Sequence, residues 1–178
     1  MRKKVLISVL LSIIILIVFA LTIFFLLYRT KYLKIVKQHS QTVNIENSLV
    51  LSIIKNESSF NERAVSSKGA KGLMQLTSST AKEIAEKNNI VFNENDLFNP
   101  DINVKLGVLY LDYLFNMFSD KNLVIIAYNA GPFRVKNWLE NGEVYDKNNK
   151  INTPFKETNA YLNKVIADQK VYKLLLKE

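Results

Sequence analysis

Ile45-Glu46-Asn47-Ser48-Leu49-Val50-Leu51-Ser52-Ile53-Ile54-Lys55-Asn56-Glu57 is the stretch from which the fold is most readily read. Ile45, Leu49, Val50, Ile53 and Ile54 recur at the three- and four-residue spacing of one helical face. Glu57 falls four residues after Ile53 and seven after Val50, so a helix over 45–57 carries its carboxyl on the apolar face. It also stands at the helix C-terminus, where the negative end of the macrodipole disfavours an anion. Burial and dipole together predict a raised pKa. An acid that keeps its proton near neutral pH can deliver it to a leaving oxygen. A glutamate at a frayed helix end, turned out to water, is the other reading that periodicity allows.

Downstream, the polar stretch Ser58–Lys71, which includes Gly69, reads as a loop. A second helix is predicted from Thr77 to Lys87, with hydroxyls at its start and Glu83 three residues after Thr80. Asn99-Pro100 opens a third, Asn as cap and Pro in the first turn. Its positions Ile102, Leu106, Leu109, Tyr110, Tyr113, Leu114 and Met117 keep the helical period. Asn122–Asn129 is a short buried helix stopped by Ala130-Gly131-Pro132, and a further short helix carries Val135 and Trp138. Asn141–Pro154 has no periodicity and reads as an exposed loop, and Glu157–Lys177 closes the chain as a helix. No strand pattern and no internal repeat interrupts this series. The fold class is all-α.

Upstream, Val5 to Tyr28 contains no charged residue. As a helix it would span roughly 36 Å, enough to cross a hydrocarbon core about 30 Å thick. It is too long for a signal-peptide core, and it ends Phe24-Phe25-Leu26-Leu27-Tyr28-Arg29 without the small residues of a cleavage site. Residues 1–28 therefore read as a tip and an uncleaved transmembrane anchor, 29–44 as a basic juxtamembrane stalk, and 45–178 as one folded domain. Arg2, Lys3 and Lys4 flank one end of the run and Arg29, Lys31, Lys34 and Lys37 the other, so charge does not decide the orientation.

Of the net charge of +8, three units precede the apolar run. The remaining basic residues are scattered among acids, with no basic stripe and no aromatic platforms, which argues against a nucleic-acid partner. A surface facing anionic lipid or acidic wall polymer suits the charge better. With no cysteine and a single histidine, His39, disulfide scaffolds, thiolate zinc sites and histidine-based triads are excluded. Carboxylates, hydroxyls, amides and lysines are left to do any chemistry.

The blocks around Glu57 are specific. Asn56-Glu57-Ser58-Ser59-Phe60-Asn61 is followed by Ser66-Ser67-Lys68-Gly69-Ala70-Lys71-Gly72-Leu73-Met74-Gln75-Leu76 and by Thr80-Ala81. Leu97-Phe98-Asn99-Pro100-Asp101-Ile102-Asn103, Ala127-Tyr128-Asn129-Ala130-Gly131-Pro132 and Glu157-Thr158 with Tyr161 come after them. Over about residues 45–165 this resembles the soluble-lytic-transglycosylase family, whose domain is lysozyme-like. The family pattern is Glu-Ser-x-Phe, Ser-x-x-Gly-Ala-x-Gly-Leu-Met-Gln, Pro-x-Thr-Ala, Ala-Tyr-Asn-Ala-Gly and Glu-Thr-x-x-Tyr, in that order. Ser78 stands where the family usually has Pro.

The resemblance implies a membrane-anchored peptidoglycan lytic transglycosylase with Glu57 as its only acid/base. Its substrate would be the β-1,4 bond between N-acetylmuramic acid and N-acetylglucosamine in glycan strands. Ser66 would bring a hydroxyl near the reacting sugar, and Met74 and Gln75 would line the groove. Tyr128 and Asn129 would hold the sugar and its acetamido group, with Glu157 and Tyr161 lining the site from the last helix. No metal and no organic cofactor is implied, and the catalytic domain would sit on the outer side of a bacterial cell membrane. Two alternatives stay open: a lysozyme-type hydrolase cutting the same bond, and a non-catalytic muropeptide-binding component of an envelope assembly.

Overall fold

The computed structural model describes residues 2–178, apart from the side chains of residues 2–6, 8, 9 and 27. The chain divides into two compact units, one ending at Lys31 and one spanning Tyr32–Glu178.

The first unit is a single helix, α1, Arg2–Leu27. Its apolar side chains from Leu10 onward point almost without exception to solvent, Ile15 and Phe25 about two-thirds exposed at 66% and 67%. Among the described residues no helix is long and apolar enough to cross a membrane. The expected span, Val5 to Tyr28, includes Val5, Leu6, Ser8, Val9 and Leu27, whose side chains lie outside the described residues.

The second unit begins earlier than the sequence reading had it. Residues 29–44, read from the sequence as a basic stalk, contain α2, Leu33–Ser40, which packs on the helices that follow. Tyr32, Val36 and His39 form its buried face at helical spacing, while Lys31, Lys34 and Lys37 lie on the wet side. The cluster of lysines hid a three-residue buried face. His39 Nε2 and Asp101 Oδ1 meet at 2.9 Å and tie α2 to the helix that Asp101 begins.

The stretch around residue 50 forms α3, Asn47–Ser58. It is less amphipathic in place than in sequence: Leu49, Val50, Leu51, Ile53 and Ile54 are all at most 1% exposed, and Ser48 and Ser52 are buried with them. α2 covers one side and the last helix, α8 (Lys156–Leu176), covers another. α3 and α8 run antiparallel, since Lys173 pairs with Glu46 at one end and Tyr161 meets Glu57 at the other.

α4 is Ser78–Lys87, and its N-cap is Thr77, whose hydroxyl accepts from the Thr80 N–H at 3.2 Å. The helix therefore starts where the sequence reading places it, at the hydroxyl of Thr77. Ser78 occupies the first helical position. A 3₁₀ turn, Glu94–Phe98, follows, capped reciprocally by Asn93 and Asp96, and the sequence reading missed it. α5, Pro100–Phe118, starts as predicted, Asn99 Oδ1 accepting from the N–H groups of Asp101 and Ile102. α6 (Lys121–Ala130) and α7 (Pro132–Glu140) meet at Gly131, whose φ of +92° turns the chain. Among the described residues there is no strand, only isolated bridges: two within residues 65–76 and one, Tyr145 to Ile151, in the loop after α7. The fold is all-helical.

Candidate active site

α3 ends beside α8, and this places Glu57, its penultimate residue, in the lining of a cleft of about 470 Å³. Glu57 keeps some surface open to the cleft, but its carboxyl is largely buried against Tyr161 of α8. Tyr161 Oη on α8 donates to Glu57 Oε1 at 2.7 Å. Burial raises the Glu57 pKa from 4.5 to about 7, and the Tyr161 bond, which favours the carboxylate, opposes that rise. The sequence reading invoked burial and the helix end; burial is the larger cause. At neutral pH the group is balanced between giving and taking a proton.

The opposite wall is the loop after α3. Here the chain turns back on itself through paired N–H and C=O groups of Lys71 and Leu76, at 2.9 and 3.1 Å. Gly72 is indispensable to the turn: φ is +76°, and a Cβ there would lie 2.1 Å from the carbonyl oxygen of Leu97. Buried Asn103 of α5 holds the loop from behind. Its Nδ2 donates to the carbonyls of Lys71 and Leu97, and its Oδ1 accepts from the Met74 N–H at 2.8 Å. Gln75 stands at a left-handed φ of +48° and gives its amide nitrogen to the carbonyls of Ala64 and Gly72. Its amide oxygen remains as the acceptor on the cleft side. Ser66 accepts from the Ala70 N–H at 3.0 Å, which leaves its hydroxyl proton to donate.

α6 supplies the end of the cleft. Tyr128 Oη donates to the Met74 carbonyl at 2.7 Å, so its hydroxyl braces the loop wall while its ring lines the cleft. Burial, and then the nearby charge of Glu57, hold this phenol well above its ordinary pKa, and burial does the same to Tyr161. Neither tyrosine competes as an acid. Asn129 Oδ1 accepts from Thr158 Oγ1 at 3.0 Å, leaving its amide nitrogen as a donor.

The structure therefore brings Glu57, Ser66, Gln75, Tyr128, Asn129 and Glu157 to one cleft. Two expected residues stand apart from its lining. Tyr161 lies behind Glu57 and acts on its carboxyl. Met74 does not line the groove: it is fully buried, with its sulfur packed where a Cβ on Gly107 would sit. An apolar side chain in a run of Leu and Met goes to the core, and only its backbone serves the site. Sequence reasoning missed Tyr110, Lys68 and Arg134, which also line the cleft. Tyr110 stands in the helical period and, with Gly107 and Leu111, in a block shared with the family, neither of which gives it a site role, and nothing marks the two cations apart from the chain's other basic residues. Among the described residues no group of three or more His, Cys, Asp or Glu is arranged to hold a metal.

Residues 34–151 match the family model of the transglycosylase SLT domain. The chain is 31% identical to the soluble lytic murein transglycosylase of Escherichia coli over 150 residues, which is 82% of this chain and 23% of that protein. It is 34% identical to the membrane-bound lytic murein transglycosylase C of Pectobacterium atrosepticum, over 80% of this chain and 47% of the relative. The fold superposes on an inactive mutant of the lytic transglycosylase Slt of Pseudomonas aeruginosa with a TM-score of 0.75. That match has 30% identity and covers 84% of this chain and 25% of the other. The chain thus spans less than half the length of these relatives. Fold, cleft and family model agree, and the chain belongs to the transglycosylase SLT domain family.

Proposed function

We propose that this chain is a peptidoglycan lytic transglycosylase that cleaves the β-1,4 bond between N-acetylmuramic acid and N-acetylglucosamine. The observation that carries the reading is a single buried carboxyl, with its pKa near 7, lining a polar cleft. In its protonated form Glu57 gives the glycosidic oxygen its proton as the C1–O bond breaks. The donor of Asn129 and the acceptor of Gln75 suit an acetamido group, which has one of each and can steady the positive charge growing at C1. Glu57, now a carboxylate, then takes the proton of the muramoyl C6 hydroxyl as that oxygen bonds to C1. The products are a free 4-hydroxyl and a 1,6-anhydro end, and no water is consumed. The names of the relatives, murein transglycosylases, support the substrate class.

Glu157 favours a second reading. It is an exposed carboxylate on the same cleft, and ordinary glycoside hydrolysis uses two carboxylates, one acting on water or on the sugar. Mass spectrometry of the muropeptides released from sacculi separates the two. The anhydro product is lighter than the hydrolysed one by one water, and Glu157→Gln keeps turnover in the first reading but abolishes it in the second. Products one water heavier overturn the transglycosylase reading.

We read α1 as a single-pass anchor that holds the catalytic unit on the outer face of the cell membrane. Exposed apolar side chains from Leu10 onward support this, as does the membrane-bound description of the Pectobacterium relative. Residues 2–31 removed, the protein should leave the membrane fraction. Retention would sink the anchor.

A further inference from the structure

The last turn of α3 is tied to α8 by more than the Glu57–Tyr161 bond. Asp168 is 7% exposed and uses both carboxylate oxygens: Oδ1 accepts from Lys55 Nζ at 2.7 Å and Oδ2 from Asn56 Nδ2 at 2.8 Å. Asn56 also donates to the Ser52 carbonyl within α3, at 2.8 Å. Lys55 and Asn56 directly precede Glu57, and Asp168 follows Tyr161 by seven residues, two turns along the same face of α8. Three consecutive residues of α3 therefore dock on one face of α8, and only the third, Glu57, lines the cleft. A buried ion pair is a poor source of stability, but one whose two oxygens each demand a separate donor admits a single register between two helices.

We propose that Asp168 is a positioning residue for Glu57, holding the end of α3 in the one rotation that sets the Glu57 carboxyl against Tyr161 and the cleft. The same carboxylate neutralises Lys55, two residues from the acid, so that no uncompensated cation lies behind it. The other charged or titratable groups around Glu57 are Tyr161 on α8, Tyr128 on α6, Tyr110 on α5, and Lys68, Arg134 and Glu157 around the cleft. The inference rests on Glu57 being the catalytic acid.

The test is Asp168→Asn in the full chain. Lys55 and Asn56 donate to different oxygens of Asp168, and an amide puts an NH2 donor in place of one of them, so one of the two donors is left facing another donor. The turnover kcat should fall roughly ten- to a hundredfold, the cost of a misplaced catalytic group. KM should stay within about twofold, because no cleft-lining residue changes. The alkaline limb of the pH–rate profile, and the Glu57 midpoint read by carboxyl ¹³C NMR in detergent micelles, should move to lower pH as the negative charge of Asp168 beside Lys55 is lost. Adding Lys55→Met to Asp168→Asn removes the cation and leaves the amide oxygen to Asn56, so the midpoint should return.

A folded Asp168→Asn protein with wild-type kcat and midpoint overturns the proposal. So does a loss of activity that only tracks a loss of folded protein with the midpoint unmoved. If Asp168→Asn does not fold, Asn56→Ala decides, because it removes one donor and leaves the ion pair. A several-fold lower kcat at unchanged KM supports the proposal, and a wild-type kcat overturns it. Absence of any muropeptide release by the wild type would fail the enzyme reading instead, and the NMR midpoint would still test the tie.

Discussion

The wall of the cleft that carries Glu57 is two antiparallel helices joined by side chains, whereas the wall that carries Ser66 and Gln75 is a loop joined by its backbone. In the helical wall the peptide groups are used up inside α3 and α8, so what reaches the cleft is a side chain whose surroundings the packing can tune. Burial, opposed by the bond from Tyr161 on α8, does this to Glu57. In the loop wall the turn of residues 71–76 is held by Gly72, Asn103 and a few N–H to C=O bonds. Its amides and hydroxyls are only partly spent and can meet a polar ligand. One wall sets a proton affinity; the other offers hydrogen bonds. Changes in the first should alter chemistry and its pH dependence, and changes in the second should alter stability and binding.

The largest break in that comparison is Glu57→Gln. General acid–base catalysis contributes roughly 10²–10⁴-fold, and Glu57 acts in both directions of proton transfer, so the upper end applies. Turnover of sacculi should fall about 10⁴-fold while substrate binding to the cleft persists. Residual activity above about a tenth of wild type would remove Glu57 from its role.

The same substitution changes stability in a pH-dependent way. The Glu57 carboxyl has a folded pKa of about 7 against 4.5 for a glutamate in water, so the folded protein binds the extra proton more tightly than the unfolded chain. This contribution is fully present below about pH 4.5, declines as pH rises to about 7, and is gone above it. The shift corresponds to about 3 kcal/mol. Denaturant titrations of the wild type at pH 5 and pH 8 should differ by an amount that Glu57→Gln removes. An identical difference in both proteins would mean that Glu57 is not the group responsible.

The two walls also differ in how much of them the sequence discloses. α3, α5 and α8 follow from periodicity, because their apolar faces must meet one another, and Asn99-Pro100 marks a start by its own geometry. Glu57 follows from the same period, since a carboxyl in phase with Ile53 and Val50 goes inward. The loop wall has no period to read. Its residues were legible only through the resemblance of the Ser66–Leu76 block, and that block misled for Met74, whose backbone serves the site while its side chain fills the core. α2 was hidden by the lysines on its wet face. The ties between walls and helices, Asn103 to the loop and Asp168 to α3, join residues far apart in the chain, and no local pattern announces them.

Gly72→Ala tests the loop wall alone. The added methyl would meet the Leu97 carbonyl and the Asn103 amide at a φ that alanine resists. A loss of about 2 kcal/mol is expected on thermal or denaturant unfolding. KM should rise as Gln75 and Ser66 shift, yet the Glu57 midpoint should stay where it is, because the bonds that hold the end of α3 run to Tyr161 and Asp168 on α8. A Glu57 midpoint that moved with Gly72→Ala would show that the two walls are not separate devices.

Tyr161→Phe is the smallest change and the sharpest. The ring stays in the core and only the hydroxyl that donates to Glu57 Oε1 is removed. That bond favours the carboxylate, so without it burial acts unopposed and the midpoint should rise above about 7. A single hydrogen bond to a charged group is worth about 1.5 kcal/mol, which sets the rise at about one pH unit. The alkaline limb of kcat/KM should move upward with it, opposite in direction to the shift expected of Asp168→Asn. Two substitutions on one face of α8 would then push one carboxyl in opposite directions, which a general loosening of the fold does not do. If Tyr161→Phe leaves the limb unmoved, Tyr161 is core packing, and the helical wall buries its acid without adjusting it.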